Sequence, residues 1–308
     1  MNNEFLLQDR IQKIQAVNRQ HNLLENGYVA FSGGKDSTVL HYLLDLALPG
    51  NKIPRVYFNT GIEYQAIVKY VKKLAETDDR INIYNSGVKI QQMLESNGYP
   101  FKSKEHAHMV MVYQHTHKIN KSCQKYIDHK YTKWKIHCPH ELMYQFTTDF
   151  KMKISDKCCQ KLKKETANRW QRESGKTITM TGMRKSEGGE RMHISGCVIT
   201  DKDNKAVKFH PLLVVDEDWE NWFIDKYNIR LCELYYPPYN FTRTGCKGCP
   251  FSLNLQKDLD TMEKLLPAEK KQCEIIWEPV YEEYRRIGYR LSNYKQLSFE
   301  EQEGEEWN

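Results

Sequence analysis

Long apolar runs are missing from this chain of 308 residues. The longest, Val39 to Leu48, is broken by His41 and Asp45, whereas a membrane-spanning helix needs ~20 apolar residues in succession. No transmembrane segment and no membrane partner are expected. The opening stretch MNNEFLLQDRIQK carries acidic and basic residues where an export signal needs an apolar core, so a cytoplasmic protein is expected. In that compartment nine cysteines are thiols or metal ligands, not a disulfide framework. Internal repeats are absent, and only the terminal glutamate stretch approaches low complexity. Arginine is absent from residues 99–166, where fourteen lysines against six acidic residues still give a local charge of +8. From Ser298 to Asn308 the imbalance is opposite, with five glutamates and no Lys or Arg. Without that tail the formal charge rises from +6 to +11, a balance that suits an anionic partner.

Hydrophobic residues make up 40% of the chain, enough for a core, and the length corresponds to one large domain or two modest ones. Leu7, Ile11, Ile14 and Val17 recur at near-helical spacing and predict an amphipathic helix. Tyr28 to Phe31 is a short apolar run of strand length, followed by Ser32-Gly33-Gly34 and a helical pattern through Val39, Leu40, Leu43, Leu44 and Leu48. Arg55 to Asn59 predicts a second strand, Tyr64 to Ala75 a helix and Ile81 to Tyr84 a third strand. Strand and helix in alternation with short joints predict a doubly wound parallel α/β sheet, Rossmann-like in outline. Further on, Thr177 to Thr181 and Val198-Ile199 read as strands, and Trp219 to Tyr227, Leu255 to Leu266 and Pro267 to Ile287 as helices. Between them, residues 99–166 hold seven of the eleven histidines with Tyr113, Tyr126, Tyr131, Trp134 and Tyr144. Apolar alternation is poor there, so helices and loops forming an insertion or lid are expected.

Ser32-Gly33-Gly34-Lys35-Asp36-Ser37 sits between the first strand and an apolar helix. Two glycines let a backbone approach an anion closely and turn its N–H groups toward the oxygens. The helix adds its positive end, and Ser32, Lys35 and Ser37 add donors and charge. A two-glycine turn alone is equally a plain strand-to-helix joint with Asp36 as a helix-start residue. The combination of donors and charge is what makes it a phosphate cradle. It is not the Gly-x-x-x-x-Gly-Lys-Ser/Thr loop.

In this context SGGKDS resembles the PP-loop of the adenine nucleotide alpha-hydrolase superfamily. The stretch from about Tyr28 to Phe251 resembles the phosphoadenosine phosphosulfate (PAPS) reductase branch. Phe58-Asn59-Thr60-Gly61-Ile62-Glu63 is similar to the Asp-Thr-Gly-x-Glu that ends that family's second strand, with Asn59 in place of Asp. Thr181 to Glu187 with Arg191 resembles its Gly-x-Arg-x-x-Glu-Ser-x-x-Arg segment. Pro211-Leu212 and Leu234-Tyr235 match further landmarks. The resemblance implies an adenine nucleotide as ligand. Ser32, Gly33, Gly34, Lys35, Asp36, Ser37, Thr60, Gly61 and Glu63 would contact nucleotide and phosphate, with Lys35 and Asp36 catalytic. Gly182, Arg184, Glu187 and Arg191 would form an anion or substrate site, where guanidinium groups suit phosphate and sulfate.

Cys-x-x-Cys at Cys246-Lys247-Gly248-Cys249 is compatible with a zinc half-site, a redox dithiol or half of an iron–sulfur site. The adjacent Cys158-Cys159, apparently opening a helix, narrows this, since neighbouring thiolates reach a bulky cluster more easily than one small ion. The two pairs together resemble the [4Fe–4S] pattern of adenylyl-sulfate reductases and DndC-type DNA phosphorothioation proteins, which implies Cys158, Cys159, Cys246 and Cys249 as metal ligands. Zinc and unliganded thiols are the other two possibilities. Cys123, Cys138, His137 and His140 lack metal-ligand spacing, and Cys197, Cys232 and Cys273 are expected to be buried structural thiols.

The expected organisation is a PP-loop nucleotide-binding part over residues 1–98, a basic His-rich insertion over 99–154, and the rest of the α/β domain with the first cysteine pair over 155–200. A helical lobe with the second pair over 201–297 and an acidic tail over 298–308 follow. Two reactions share this framework. An intact SGGKDS suits ATP cleaved between its alpha and beta phosphates with Mg2+, coupled to sulfur transfer. The alternative is reduction of APS or PAPS to sulfite with thioredoxin, for which the family uses a cysteine in Glu-Cys-Gly-x-His. That motif is absent here, and the only cysteine after Cys249 is Cys273. A non-catalytic iron–sulfur sensor or subunit is a third reading. The 99–166 region is a place for a polynucleotide, and a thioredoxin-like or sulfur-donor protein is a further expected partner.

Overall fold

The computed structural model describes residues 2–128, 130 and 137–293. The 298–308 tail, and Tyr131 and Trp134 of the basic region, lie outside them. Asn2 caps α1 (Asn3–His21) by accepting from the Glu4 amide, and Leu7, Ile14 and Val17 form the buried stripe of that helix. A helical turn, α2 (Leu23–Asn26), leads into β1 (Gly27–Ala30), followed by α3 (Lys35–Ala47), β2 (Arg55–Asn59), α4 (Gln65–Ala75) and β3 (Ile81–Asn85). The chain then makes α5 (Ile90–Asn97), α6 (Lys104–Thr116) and α7 (Lys121–Ile127). It returns through α8 (Glu165–Ser174), β4 (Ile178–Met180), β5 (Val198–Thr200), β6 (Ala206–Phe209) and α9 (Glu217–Lys226), and continues to α10 (Leu255–Leu265) and α11 (Pro267–Ile287). Two compact units result. One holds the described residues up to Ser86 with Glu165–Gly245; the other holds Gly87–Lys164 and the described residues from Cys246 onward.

In the first unit six strands form one sheet in the order β3-β2-β1-β4-β6-β5. Every neighbouring pair is parallel except β5 with β6. The fold is therefore the expected α/β class, with one antiparallel edge strand. Tyr28 and Val29 of β1 are wholly buried, as are Val39, Leu40, Leu43 and Leu44 of α3. From β1 the chain winds outward to β2 and β3, then crosses back to place β4 on the other side of β1. The gap between the C-terminal ends of β1 and β4 is thus the switch point at which open α/β sheets bind ligands. Strand β6 was not foreseen. Ala-Val-Lys-Phe is too short to signal a strand alone, and it forms because β4 and β5 pair with both of its edges. Asp201 closes the β5–β6 hairpin by accepting from the amides of Asp203 and Lys205.

The second unit is mostly helical, with one parallel bridge among the described residues, between Tyr99 and Ile154. Phe101, Val110, Tyr126, Leu142, Trp277 and Tyr284 are buried at its core. His106 is also wholly buried, its ring nitrogens 2.9 Å from the Tyr126 hydroxyl and 2.8 Å from Gln145 Oε1. Burial lowers its pKa to about 4, so it sits neutral in the core. Cys123 and Cys138 are buried thiols. Among the described residues no helix is long and apolar enough to cross a membrane.

Candidate functional site

The residues of SGGKDS turn from the end of β1 into α3, with Gly33 and Gly34 buried and Ser32 exposed at the mouth. Ser37 holds the turn: it donates to the Gly34 carbonyl at 3.0 Å, accepts from the Ser32 amide at 3.2 Å and lies 3.0 Å from Ser32 Oγ. The Gly34 amide donates to Ser32 Oγ at 3.3 Å. The first amide of α3, that of Lys35, donates to the Tyr235 hydroxyl at 3.0 Å, and that hydroxyl lies 2.6 Å from Thr244 Oγ1. Lys35 Nζ is held by Glu217 Oε1 at 2.6 Å and Asn221 Oδ1 at 3.5 Å, both on α9. The Lys35 ammonium draws the Glu217 carboxyl below its usual pKa. Helix-end amides, two hydroxyls and an ammonium therefore meet at one turn, the donor set that a phosphate requires.

The neighbouring strands bring the other predicted segments to the same edge of the sheet. After β2, the buried Glu63 accepts from the Thr60 amide at 3.0 Å and the Thr60 hydroxyl at 2.7 Å, while Asn59 accepts from the Gly61 amide at 3.2 Å. After β4, Gly182 packs directly on the loop, where an added Cβ would sit 2.6 Å from the Asp36 carbonyl oxygen. Only a residue without a side chain permits that approach. Arg184 is buried and donates from Nε to Asp36 Oδ1 at 3.1 Å. Glu187 pairs with Arg191 and, at 2.8 Å, with Arg243. The Arg184 side chain thus faces the loop and that of Arg191 faces Glu187, whose carboxylate also accepts from the Arg184 amide at 3.4 Å. Glu217, Glu220, Asn221, Tyr235 and Thr244 also surround the loop. Tyr235 belonged to a family landmark. The α9 residues carried no sequence signal beyond acidic side chains at a helix start, where they favour the helix dipole anyway.

In the second unit, Cys158 and Cys159 open a helix that continues as a π-helical turn over Gln160–Lys164. The Cys246–Cys249 loop is held by α11. Trp277 Nε1 donates to the Lys247 carbonyl at 3.2 Å, the Tyr281 hydroxyl to that of Gly248, and the Tyr284 hydroxyl to that of Pro250 at 2.9 Å. Residues 277, 281 and 284 share one helix face. Burial raises the Cys158 thiol, and Cys246, Cys159 and Cys249 raise it further. Burial pushes Cys249 up to about 12, with Cys246 and Cys159 adding to it. Burial and their cysteine neighbours thus keep the Cys158 and Cys249 thiols protonated. Among the described residues, however, no group of three or more His, Cys, Asp or Glu is gathered closely enough to hold a metal ion. None of the nine cysteines forms a disulfide.

The phosphoadenosine phosphosulfate reductase domain matches this chain over residues 26–134 and 125–252. No curated protein matches the sequence. Similar solved structures include a PAPS reductase from Candida auris in a phosphate complex, 16% identical, covering 71% of this chain and 82% of that one with a TM-score of 0.40. The FMN adenylyltransferase of Candida glabrata is 15% identical and covers 78% and 61%, with a TM-score of 0.44. The U34-tRNA thiolase NcsA of Methanococcus maripaludis with its [4Fe-4S] cluster is 16% identical and covers 91% and 80%, with a TM-score of 0.37. The domain match spans the Ser32–Ser37 loop, the Gly182-to-Arg191 segment and both cysteine pairs, and the chain belongs to the phosphoadenosine phosphosulfate reductase domain family.

Proposed function

We propose that this protein cleaves ATP between its alpha and beta phosphates and couples the adenylation to sulfur transfer. The observation that carries this reading is the complete donor set at the end of β1. The amides of Gly34 and Lys35, the hydroxyls of Ser32 and Ser37 and the Lys35 ammonium lie together at the switch point of the sheet. A phosphate oxygen arriving there exchanges with the Tyr235 hydroxyl and the Glu217 carboxylate. Residues 32–37 hold the departing pyrophosphate, with Mg2+ arriving on the nucleotide. Lys35 counters charge on the oxygen being released, and Asp36 orients Arg184. Thr60, Gly61 and Glu63 shape the nucleotide side, and Gly182, Arg184, Glu187 and Arg191 the anion side. An acceptor oxygen attacks the alpha phosphorus and the bond to pyrophosphate breaks. A sulfur nucleophile then displaces AMP from the activated atom.

Cys158, Cys159, Cys246 and Cys249 would hold a [4Fe–4S] cluster, four thiolates meeting its ligand count. With all four irons ligated by these thiolates, such a cluster would supply a fixed local charge and tie the two cysteine segments together, and would not bind sulfur directly. The acceptor class favoured by the +8 of residues 99–166 is a polynucleotide, with a sulfur-donor protein as partner.

The family match favours a second reading, reduction of PAPS or APS with a thioredoxin-like partner. Against it, Cys273 is wholly buried behind Gly248, and burial pushes its thiol up to about 12. A protonated, enclosed thiol cannot attack a sulfonate. The discriminating experiment incubates anaerobically purified protein with ATP, Mg2+, sulfide and either tRNA or single-stranded DNA, and in parallel with PAPS and thioredoxin. AMP and pyrophosphate are expected, and Lys35→Ala should lower their formation about 100-fold. Sulfite from the second mixture, without pyrophosphate from the first, would reverse the assignment.

A further inference from the structure

Glu220 lies beside the phosphate loop yet belongs to none of its motifs. It is on the first turn of α9, its side chain is 0% exposed, and its carboxyl receives no N–H or O–H hydrogen bond beyond a proton it can share with the Asp36 carboxylate. Oε2 is 3.2 Å from Arg184 Nε, but that N–H makes its hydrogen bond to Asp36 Oδ1. The groups that face Glu220 are Asp36 and Lys35 of α3 and Arg184 of the segment after β4. Glu217 of its own helix is already engaged by Lys35.

A fully enclosed carboxylate beside another carboxylate, with one guanidinium between the two, is expensive to ionise. We propose that Glu220 is a positioning residue of the phosphate loop, holding Arg184 and Asp36 in place and tying anion binding at residues 32–37 to retention of the proton on its buried carboxyl. The inference rests on the reading of residues 32–37 as the nucleotide phosphate site. Neutral Glu220 leaves one guanidinium shared with one carboxylate, and the loop keeps its net attraction for phosphate. Ionised Glu220 sets two carboxylates against that guanidinium and places an extra negative charge where phosphate must arrive. Burial, reinforced by Asp36, raises its carboxyl to about 9. Its proton is therefore retained at neutral pH and lost as pH rises through that value. By reciprocity, a bound polyphosphate makes the proton harder to remove.

The test measures the dissociation constant of ATP with Mg2+ by calorimetry at pH 8 and pH 9.5, for the full-length protein and for Glu220→Gln. ATP phosphates do not titrate in this interval. The wild type should bind about fourfold more weakly at the higher pH. Glu220→Gln keeps the shape and removes the proton, and should change by less than about twofold. A merely structural role would lower the melting temperature of Glu220→Gln and leave its pH ratio like that of wild type, and that result would overturn the proposal. So would a wild type whose affinity is flat between the two pH values. Failure of the wild type to bind ATP at pH 8 would overturn the phosphate-site reading and this proposal together, whereas binding with a shared pH profile would overturn this proposal alone.

Discussion

Gly182 and Gly248 carry the strictest steric demands at the two candidate centres. An added methyl at Gly182 would meet the Asp36 carbonyl at 2.6 Å, so Gly182→Ala must displace the first turn of α3 or the end of β4. Overpacking of this kind costs about 1–3 kcal/mol, and the same shift moves Asp36 and Arg184. Gly182→Ala is therefore expected to lower the melting temperature modestly and to weaken ATP binding at least about tenfold, as read by calorimetry. Unaltered ATP affinity would separate Gly182 from the phosphate site. Gly248 has φ of +59°, and its added Cβ would lie 2.8 Å from Cys273 Sγ. Under the cluster reading, Gly248→Ala should disrupt the Cys246–Cys249 loop and abolish iron retention after anaerobic purification. Cys273→Ser should retain iron, because Cys273 only packs against the loop. The motif glycines were legible as a cradle from sequence. The partners that hold the cradle shut, Tyr235 at the Lys35 amide and α9 at the Lys35 ammonium, lie about 200 and 182 residues away and were legible only as separate landmarks or helix-start acids.

At the scale of elements, α3, β2 and β3 are fastened by a charged cluster at the end of the sheet opposite the loop. Arg55 at the start of β2 is wholly buried and donates to Asp45 at 2.8 Å, Asn51 at 2.6 Å and His41 at 3.2 Å. Arg80 donates to Asp45 and Asp78. Removing Asp45 would strand a buried guanidinium, so Asp45→Ala should cost about 3 kcal/mol in urea denaturation. The pH dependence has a definite sign. Burial, then Arg55, lowers His41 from 6.5 to about 4, and the hydrogen bond from Arg80 brings Asp78 to about 2. In both cases the unfolded chain binds more protons, so stability is complete near pH 7 and declines as pH falls from about 6.5 through 4 and further toward 2. A urea midpoint that stayed level between pH 7 and 4 would contradict this. Strands β1 to β5 were readable because each is an apolar or alternating run between turn signals. Strand β6 was not, because four residues acquire strand character only from two neighbours.

For the whole molecule, charge provides the test of a polynucleotide partner. If the +8 of residues 99–166 meets a phosphate backbone, anisotropy titrations with single-stranded RNA should show affinity falling at least about tenfold between 50 and 200 mM KCl. A flat response would remove the polynucleotide and leave only a nucleotide. Composition and pattern determined the α/β class, the strand-to-helix turn of Ser32–Ser37 and the two cysteine pairs, since each is a local property: periodicity, a run of six residues, or adjacent thiols. Tertiary structure alone decided that Glu220 is buried beside Asp36 and Arg184, that His106 is a core residue in a basic, His-rich stretch, and that Cys273 is shut behind Gly248. Burial and pKa depend on what packs against a side chain from distant parts of the chain. Neither is encoded in the residues next to it.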